Sequence, residues 1–303
     1  YLETPGVHSF DWAILKNAHH TMSATEQSLV FWAFFLAFAI KMPIFPFHTW
    51  QPDTYTNAPT QGTMLLSGIM LKMGVFGAMY WLVPMVPMGV AQWQPLVMVL
   101  CIIGIVYGSI IAIQQRDAKR LAAYSSFAHV GLIAAGVFAH TYSGLQGATM
   151  QMLAHGFNVV ALFYIIDLIE AKTGKRNLDE LGGIATNNRL FATLAFIIVL
   201  GSIAMPLTNA FVGEFMLLLG VYQYSLWAAV IAGTTIILGA VYMLKFYKKA
   251  FFGETNANTE NIHFMDDSTA FVLIPLAAIV IIMGVCPKPF MDLAQPAIME
   301  LLK

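Results

Sequence analysis

Five ionisable side chains stand inside long apolar runs: Lys41, Lys72, His129, His155 and Glu214. Lysine, histidine and glutamate all change protonation state when burial and neighbouring charges shift their affinity for the proton. Arginine does not, and the interior set contains none. Each charged group costs a few kcal/mol on insertion into a bilayer, so five together ask for a purpose. The selection suits a lateral relay that holds protons and hands them on. Each residue also has a structural alternative. Lys41 closes the run Leu29 to Ile40, roughly 18 Å along a helix, and could snorkel from a short helix end. Lys72, in LLSGIMLKMGVFG, has no helix end nearby and would otherwise belong to an ion pair. His129 in YSSFAHVG and His155 in MQMLAHGF could be satisfied core histidines, and Glu214 an ion-pair partner. His48 is expected near the surface in a structural role. Asp167 and Glu170 lie beside a basic loop, where a solvated helix end accounts for them.

The elements that must position these groups are membrane helices. The chain is 58% hydrophobic and 10% charged, against about 25% charged for a soluble domain. Its apolar residues gather in runs near the length that crosses about 30 Å of hydrocarbon. The pattern predicts an all-α polytopic membrane protein with eight spans, at 28–50, 62–83, 94–115, 120–140, 143–170, 190–222, 226–247 and 269–288. Pro84 and Pro87, KTGKRNLDELGG and GETNANTENIHFMDD are read as loops between them. Ten of the fifteen Lys and Arg fall in the loops after the third, fifth and seventh spans. That asymmetry places those loops in the cytoplasm and both ends of the chain on the outer face.

Two spans are interrupted. The first contains Pro43 and Pro46, and the sixth has PLTNAFVG at its middle. Such breaks free backbone groups that need partners in protein or water, so they line cavities rather than lipid. Paired broken helices of opposite orientation are the pattern of inverted-repeat transporters. Cys101 and Cys286 stand alone in apolar stretches and are expected to be inert core thiols, with no metal, haem or iron–sulfur motif. No dinucleotide fingerprint is present, and the net charge of −1 points to no nucleic-acid partner. The opening YLETPGVHSFDW reads as mid-protein loop, which predicts an N-terminally incomplete chain.

KMPIFPFHTWQPDTYTNAPTQGTMLLSGIMLKMG closely resembles the signature of the antiporter-like membrane subunits of respiratory complex I, relatives of Mrp-type cation/proton antiporters and membrane-bound hydrogenases. RDAKRLAAYSSFAHVG, MQMLAHGF and NAFVGEF agree in kind and order, so the resemblance covers essentially the whole chain. The carboxylate in FVGEF is similar to the M-type branch, where sister branches carry lysine. The resemblance implies the C-terminal part of a fourteen-helix fold with two inverted five-helix repeats. On that scheme residues 1–83 end the first repeat, 84–250 form the second, and 251–303 are a loop and the final span. It implies proton transfer by Lys41, Lys72, His129, His155 and Glu214. It also implies that the glutamate partner of Lys41 lies upstream of this sequence. NADH, FMN, iron–sulfur clusters and quinone are expected in other subunits, with no cofactor in this chain. The expected partners are neighbouring antiporter-like subunits and the bilayer, in an energy-coupling membrane such as the bacterial plasma membrane. An Mrp-type Na⁺/H⁺ antiporter subunit and a membrane subunit of an energy-converting hydrogenase are the alternatives.

Overall fold

A computed structural model describes residues 10–260 and 262–302; residues 1–9 of the opening stretch and Lys303 lie outside the described residues. In chain order the principal helices are α1 (Ala24–Lys41), α2 (Trp50–Asn57), α3 (Thr60–Met85), α4 (Pro87–Gln114), α5 (Ala118–Phe138) and α6 (Tyr142–Thr173). They continue with α7 (Arg189–Ser202), α8 (Asn209–Tyr224), α9 (Leu226–Phe251), α10 (Asp267–Val285) and α11 (Lys288–Leu301). Among the described residues there is no strand beyond one isolated bridge between Asp117 and Asn177. Six helices, α3, α4, α5, α6, α9 and α10, are long and apolar enough to cross a membrane. The two other expected spans are each split, α1 from α2 and α7 from α8.

Local chemistry sets the helix ends. Ser23 and Glu26 form a capping box at the start of α1, each bonding the other's backbone N–H. Asp117, Thr141, Ser225 and Asp266 cap α5, α6, α9 and α10 through side-chain oxygens. Gly174, at φ 67°, ends α6 in the left-handed conformation. The expected loop at Pro84 and Pro87 is corrected. Helix α3 runs through Pro84 to Met85, and Val86 alone separates it from α4, whose first residue is Pro87. Proline needs no N–H partner in a first turn, so Pro87 fits the start of α4.

The first broken span is also longer than expected, because a second half-helix continues from Trp50 to Asn57 beyond the predicted end at residue 50. Helix α11 follows the last expected span and was not foreseen. Its Ile298 and Leu301 are buried, and Gln146 Nε2 of α6 donates to Met291 O at 2.9 Å. Cys286 corrects another expectation: it is exposed past the end of α10, and only Cys101 is a buried thiol.

Helix α5 is the hub. Of its most apolar stretch, 94% is buried, against 28% for α10, so side chains on α5 meet protein rather than lipid. Two apolar cores share it. One takes Val130, Leu132 and Phe138 of α5 with Phe31, Phe35, Leu217 and Val221. The other takes Ala118, Leu121 and Ala122 with Phe163, Phe191, Phe246 and Phe264. Between them along α5 lie Ser125, Ser126 and His129. The same seam separates the two cores along α6, at His155.

Small residues bring the helices at the seam together. A Cβ on Gly147 of α6 would lie 2.6 Å from Leu217 N of α8, and one on Gly220 of α8 would lie 2.5 Å from Gly144 Cα. Only glycine permits that approach, the usual device for packing helices without a hydrophobic driving force. It sets Glu214 of α8 against α6.

Candidate functional site

Four of the five candidate groups meet in the seam. Lys72 of α3 is 8% exposed, His155 of α6 5%, His129 of α5 6% and Glu214 of α8 3%. Lys72 Nζ lies 2.8 Å from His155 Nδ1 and also donates to the carbonyl of Ser67. The His155 and His129 rings face each other edge to face, with centroids 5.8 Å apart. His129 Nδ1 stands 2.9 Å from Glu214 Oε1, an ion-pair distance, although the ring N–H direction does not line up as a hydrogen bond. Gln151 Nε2 donates to the same carboxylate oxygen at 3.1 Å. On the far side of His129, Tyr242 OH is 3.5 Å from Nε2, with Ser125 Oγ 3.4 Å from that hydroxyl. The row therefore runs lysine, histidine, histidine, glutamate across four different helices.

The gap between the two histidines is not dry in character. A cavity of about 20 Å³ lies there, lined by Ser125, Ser126, His129, Gln151, His155 and Asn158 among others. That is room for about one water. Ser126 Oγ, Gln151 Oε1 and Asn158 Oδ1 are buried polar atoms without a protein hydrogen bond, and such atoms are ordinarily satisfied by ordered water.

The second break feeds this site. Ala204 (φ 54°) and Leu207 (φ 75°) take left-handed backbone conformations flanking Pro206, a strained geometry for side-chain-bearing residues. Helix α8 restarts at Asn209, whose Oδ1 accepts from Ala210 N at 2.8 Å and from Asn158 Nδ2 at 3.0 Å. Asn209 Nδ2 donates to Ala154 O at 3.4 Å. The break is thus tied to α6 one turn from His155, and Glu214 follows on the first turns of α8.

The first break behaves differently. Lys41 is half-buried in the last turn of α1, where its charge complements the helix C-terminus. No hydrogen bond or ion pair joins it to the row among the described residues. Its neighbour Met42 packs against Gly74 of α3, two residues beyond Lys72. Trp50 Nε1 donates to Ile40 O at 2.9 Å, satisfying a carbonyl that the break frees. His48 is not at the surface as expected: it is 4% exposed and stacked on Phe127 at 4.3 Å between ring centroids. Phe45 of the same break and Tyr107 of α4 close over the ring from its other sides.

Several polar partners of the row escaped the sequence reading: Gln151, Asn158, Asn209 and Tyr242. A signal for two of them was present, since Gln151, His155 and Asn158 recur at four and three residues and share one face of α6.

Comparison with known proteins agrees with this architecture. The family model described as NADH:quinone oxidoreductase/Mrp antiporter, TM, matches residues 4–239. NADH-quinone oxidoreductase subunit M of Rickettsia typhi is 39% identical over 298 residues, covering 98% of this chain and 60% of its own length. Its counterpart in Rhodobacter capsulatus is 37% identical over 284 residues, 93% of this chain and 56% of its own. A chain in the structure of respiratory complex I from Thermus thermophilus with bound NADH superposes with a TM-score of 0.87 at 31% identity, over 96% of this chain and 62% of that one. A chain of the Mrp complex from Dietzia sp. DQ12-45-1b gives 0.82 at 21% identity over 100% of this chain and 64% of that one, a likeness of fold. This chain spans less than two thirds of the length of each of these proteins.

Proposed function

Because the chain belongs to the NADH:quinone oxidoreductase/Mrp antiporter membrane family, we propose that it is the greater part of a proton-translocating subunit of an NADH:quinone oxidoreductase. The observation that carries the reading is the buried row Lys72–His155–His129–Glu214, with two contacts near 2.9 Å and a polar, water-sized cavity at the remaining gap. A proton held on Lys72 passes to His155, through the cavity to His129, and on to Glu214. The redox groups, NADH, FMN, iron–sulfur clusters and quinone, reside in other subunits, and this chain contributes the translocase step. Glu214 supports assignment to the M-type branch, as do relatives of that name.

The driving force arrives as charge displacement in a neighbouring antiporter-like subunit. Two unit charges about 4 Å apart interact by about 4 kcal/mol at an effective dielectric near 20. One pKa unit is about 1.4 kcal/mol, so a displaced charge of that kind is enough to turn a buried lysine from holding to releasing its proton. Lys41 serves as a further proton site of the same subunit. On this reading the basic loops face the cytoplasm of a bacterial plasma membrane and both ends of the chain face out. Residues 1–83 close one inverted repeat, 84–250 form the next, and 251–303 add a loop and the last span.

The test uses inverted membrane vesicles that carry the full-length subunit in its complex, wild type or Lys72→Ala, with an acidification-sensitive dye. NADH is added first and Na⁺ afterwards. Acidification on NADH that collapses in the variant, with quinone reduction slowed alongside, upholds the proposal. No response to NADH, with an imposed pH gradient relaxing on Na⁺, moves the chain to the Na⁺/H⁺ antiporter class. Full acidification in the variant removes Lys72 from the proton path.

A further inference from the structure

The face opposite the basic loops carries a cleft of about 340 Å³ that shares no residue with the row. It opens where α3 gives way to α4 and α5 to α6, with the end of α11 as one wall. Lys16, His19, His20 and His140 line it, and the one carboxylate among the lining residues is Glu300. Glu300 Oε1 lies 3.6 Å from Lys16 Nζ, so the lining offers the three imidazoles no carboxylate of their own. Val83, Pro84, Pro87 and Leu302 supply an apolar wall.

The donors are held in place. Lys16–His20 is a 3₁₀ turn, pinned by Gln27 of α1, which is fully buried. Gln27 Nε2 donates to His19 O at 3.0 Å, and its Oε1 accepts from Met88 N of α4 at 3.0 Å. His19 Nδ1 lies 2.5 Å from Lys16 O and so carries its proton there, which makes Nε2 a second donor once the ring is charged. The His20 ring lies beside it, with centroids 4.0 Å apart. His140 leaves the end of α5 in the left-handed conformation, at φ 51°. Like charges so close repel, and an anion shared between the rings removes that cost.

A metal ion is a poor match, because among the described residues no three His, Cys, Asp or Glu side chains gather as a metal would need. An anion with several oxygens can instead accept from donors spread over the wall. The depth of the cleft narrows the choice further. Helix α3 has 26 residues, roughly 39 Å at about 1.5 Å each, against about 30 Å of hydrocarbon and about 40–45 Å with the headgroups. Its end, and the cleft beside it, therefore lie at headgroup level. Aromatic side chains gather at the same level: Trp12 stacks on Tyr80 with centroids 4.6 Å apart, and Lys16 Nζ lies 4.9 Å from the Trp12 ring centre. Donors beside an apolar wall at that depth suit a phosphate with chains attached better than a free ion.

We propose that the cleft binds the phosphate of an anionic phospholipid, in the leaflet opposite the basic loops, through Lys16, His19, His20 and His140. The start of the lipid chains lies against Val83, Pro84 and Leu302. The inference rests on the spans crossing a bilayer and not on the proton path of the row, so its test reads lipid binding rather than acidification.

The full-length subunit in its complex is purified in detergent and reconstituted in phosphatidylcholine vesicles at about pH 6, where an ordinary histidine carries charge. A trace of phosphatidylglycerol with a photoreactive headgroup is added, and cross-linked peptides are mapped by mass spectrometry. Label is expected on the peptides that hold Lys16–His20 and His140. In His19→Asn/His140→Asn it is expected to fall there by about tenfold, the scale of two basic contacts to an anionic lipid. Lys248→Gln, an exposed cation of the basic face, leaves it unchanged. Equal labelling by a phosphatidylcholine probe of the same design, or undiminished labelling in the double variant, overturns the proposal. Displacement of the label by inorganic phosphate also overturns it, in favour of a free-anion site. If the double variant does not assemble, Lys16→Gln decides: a loss of label of about fivefold upholds the lipid site, and unchanged label overturns it.

Discussion

At the first break, residues 42–49, the ionisable side chain precedes the interruption; at the second, residues 203–208, it follows. Lys41 ends its half-helix half-buried and apart from the row, whereas Glu214 enters on the restarted helix, 3% exposed and held by His129 and Gln151. Both breaks satisfy their freed backbone groups, but by different means. The Trp50 indole donates to Ile40 O at the first, and the buried Asn209 Oδ1, itself held by Asn158, accepts from Ala210 N at the second. A break alone therefore does not bring an ionisable side chain into the row. What does is the packing around it, here the glycine contacts that press α8 onto α6.

The comparison breaks most sharply at the row itself. Lys72→Ala and Glu214→Ala are each expected to cut NADH-driven acidification by about tenfold, equivalent to about 1.4 kcal/mol of barrier, with assembly of the complex largely intact on a native gel. Loss of assembly in either would show that the groups act as a structural pair.

Next in size is the second break. Asn209→Leu leaves Asn158 and Ala210 N without their partner, and a buried polar group left unmade costs about 1–3 kcal/mol. Thermal unfolding of the purified complex should move down for this subunit, and acidification should fall with it. An unchanged midpoint would mean that the asparagine pair does not hold α8 in place.

Trp50→Phe tests the first break. It removes one neutral hydrogen bond to Ile40 O at an accessible site, worth about 1 kcal/mol or less, and leaves acidification near wild type. If it instead disables the subunit as severely as Asn209→Leu, the two breaks are energetically alike and the contrast drawn between them is wrong.

The smallest effect belongs to the basic face, outside the spans. The Thr269 backbone N–H holds the Asp266 carboxyl below the ordinary carboxylate range, with the Thr269 and Ser268 hydroxyls adding to it. A depressed folded-state value contributes stability above the unfolded value of about 3.9 and loses it as pH falls further. Asp266→Asn should therefore lower stability slightly at neutral pH and flatten its decline below about pH 4, measured by thermal unfolding across that range. A decline as steep in the variant as in the wild type would remove the cap from the account.

Much of this was legible in the residues. Apolar run lengths and charge-poor composition gave the spans, and prolines amid apolar sequence gave both breaks. Lys72, His129, His155 and Glu214 stood out because ionisable groups in such runs are costly. Their order in space was another matter. The row crosses four helices, and nothing in one-dimensional spacing sets α3 beside α6 at Lys72 and His155. Helix α11 was overlooked because its apolar residues are interleaved with charge and two prolines, Pro289 and Pro296, which dilute the hydropathy. His48 and Cys286 were misplaced for one reason: burial depends on what folds over a residue, and neither the half-helix α2 nor the abrupt end of α10 is visible in hydropathy. The π-helical turn Leu66–Met70 before Lys72 left no mark that propensity could show.

The most direct measurement of the central claim is infrared difference spectroscopy of the full complex as NADH turns over, comparing wild type with Glu214→Gln and His129→Gln. If Glu214 gains and loses a proton at the end of the row, a carboxylic-acid C=O band appears on turnover, vanishes in Glu214→Gln and shifts in His129→Gln. A spectrum in which every carboxylic-acid band persists unshifted in both variants would contradict the account, leaving Glu214 a fixed charge and the row a structural seam.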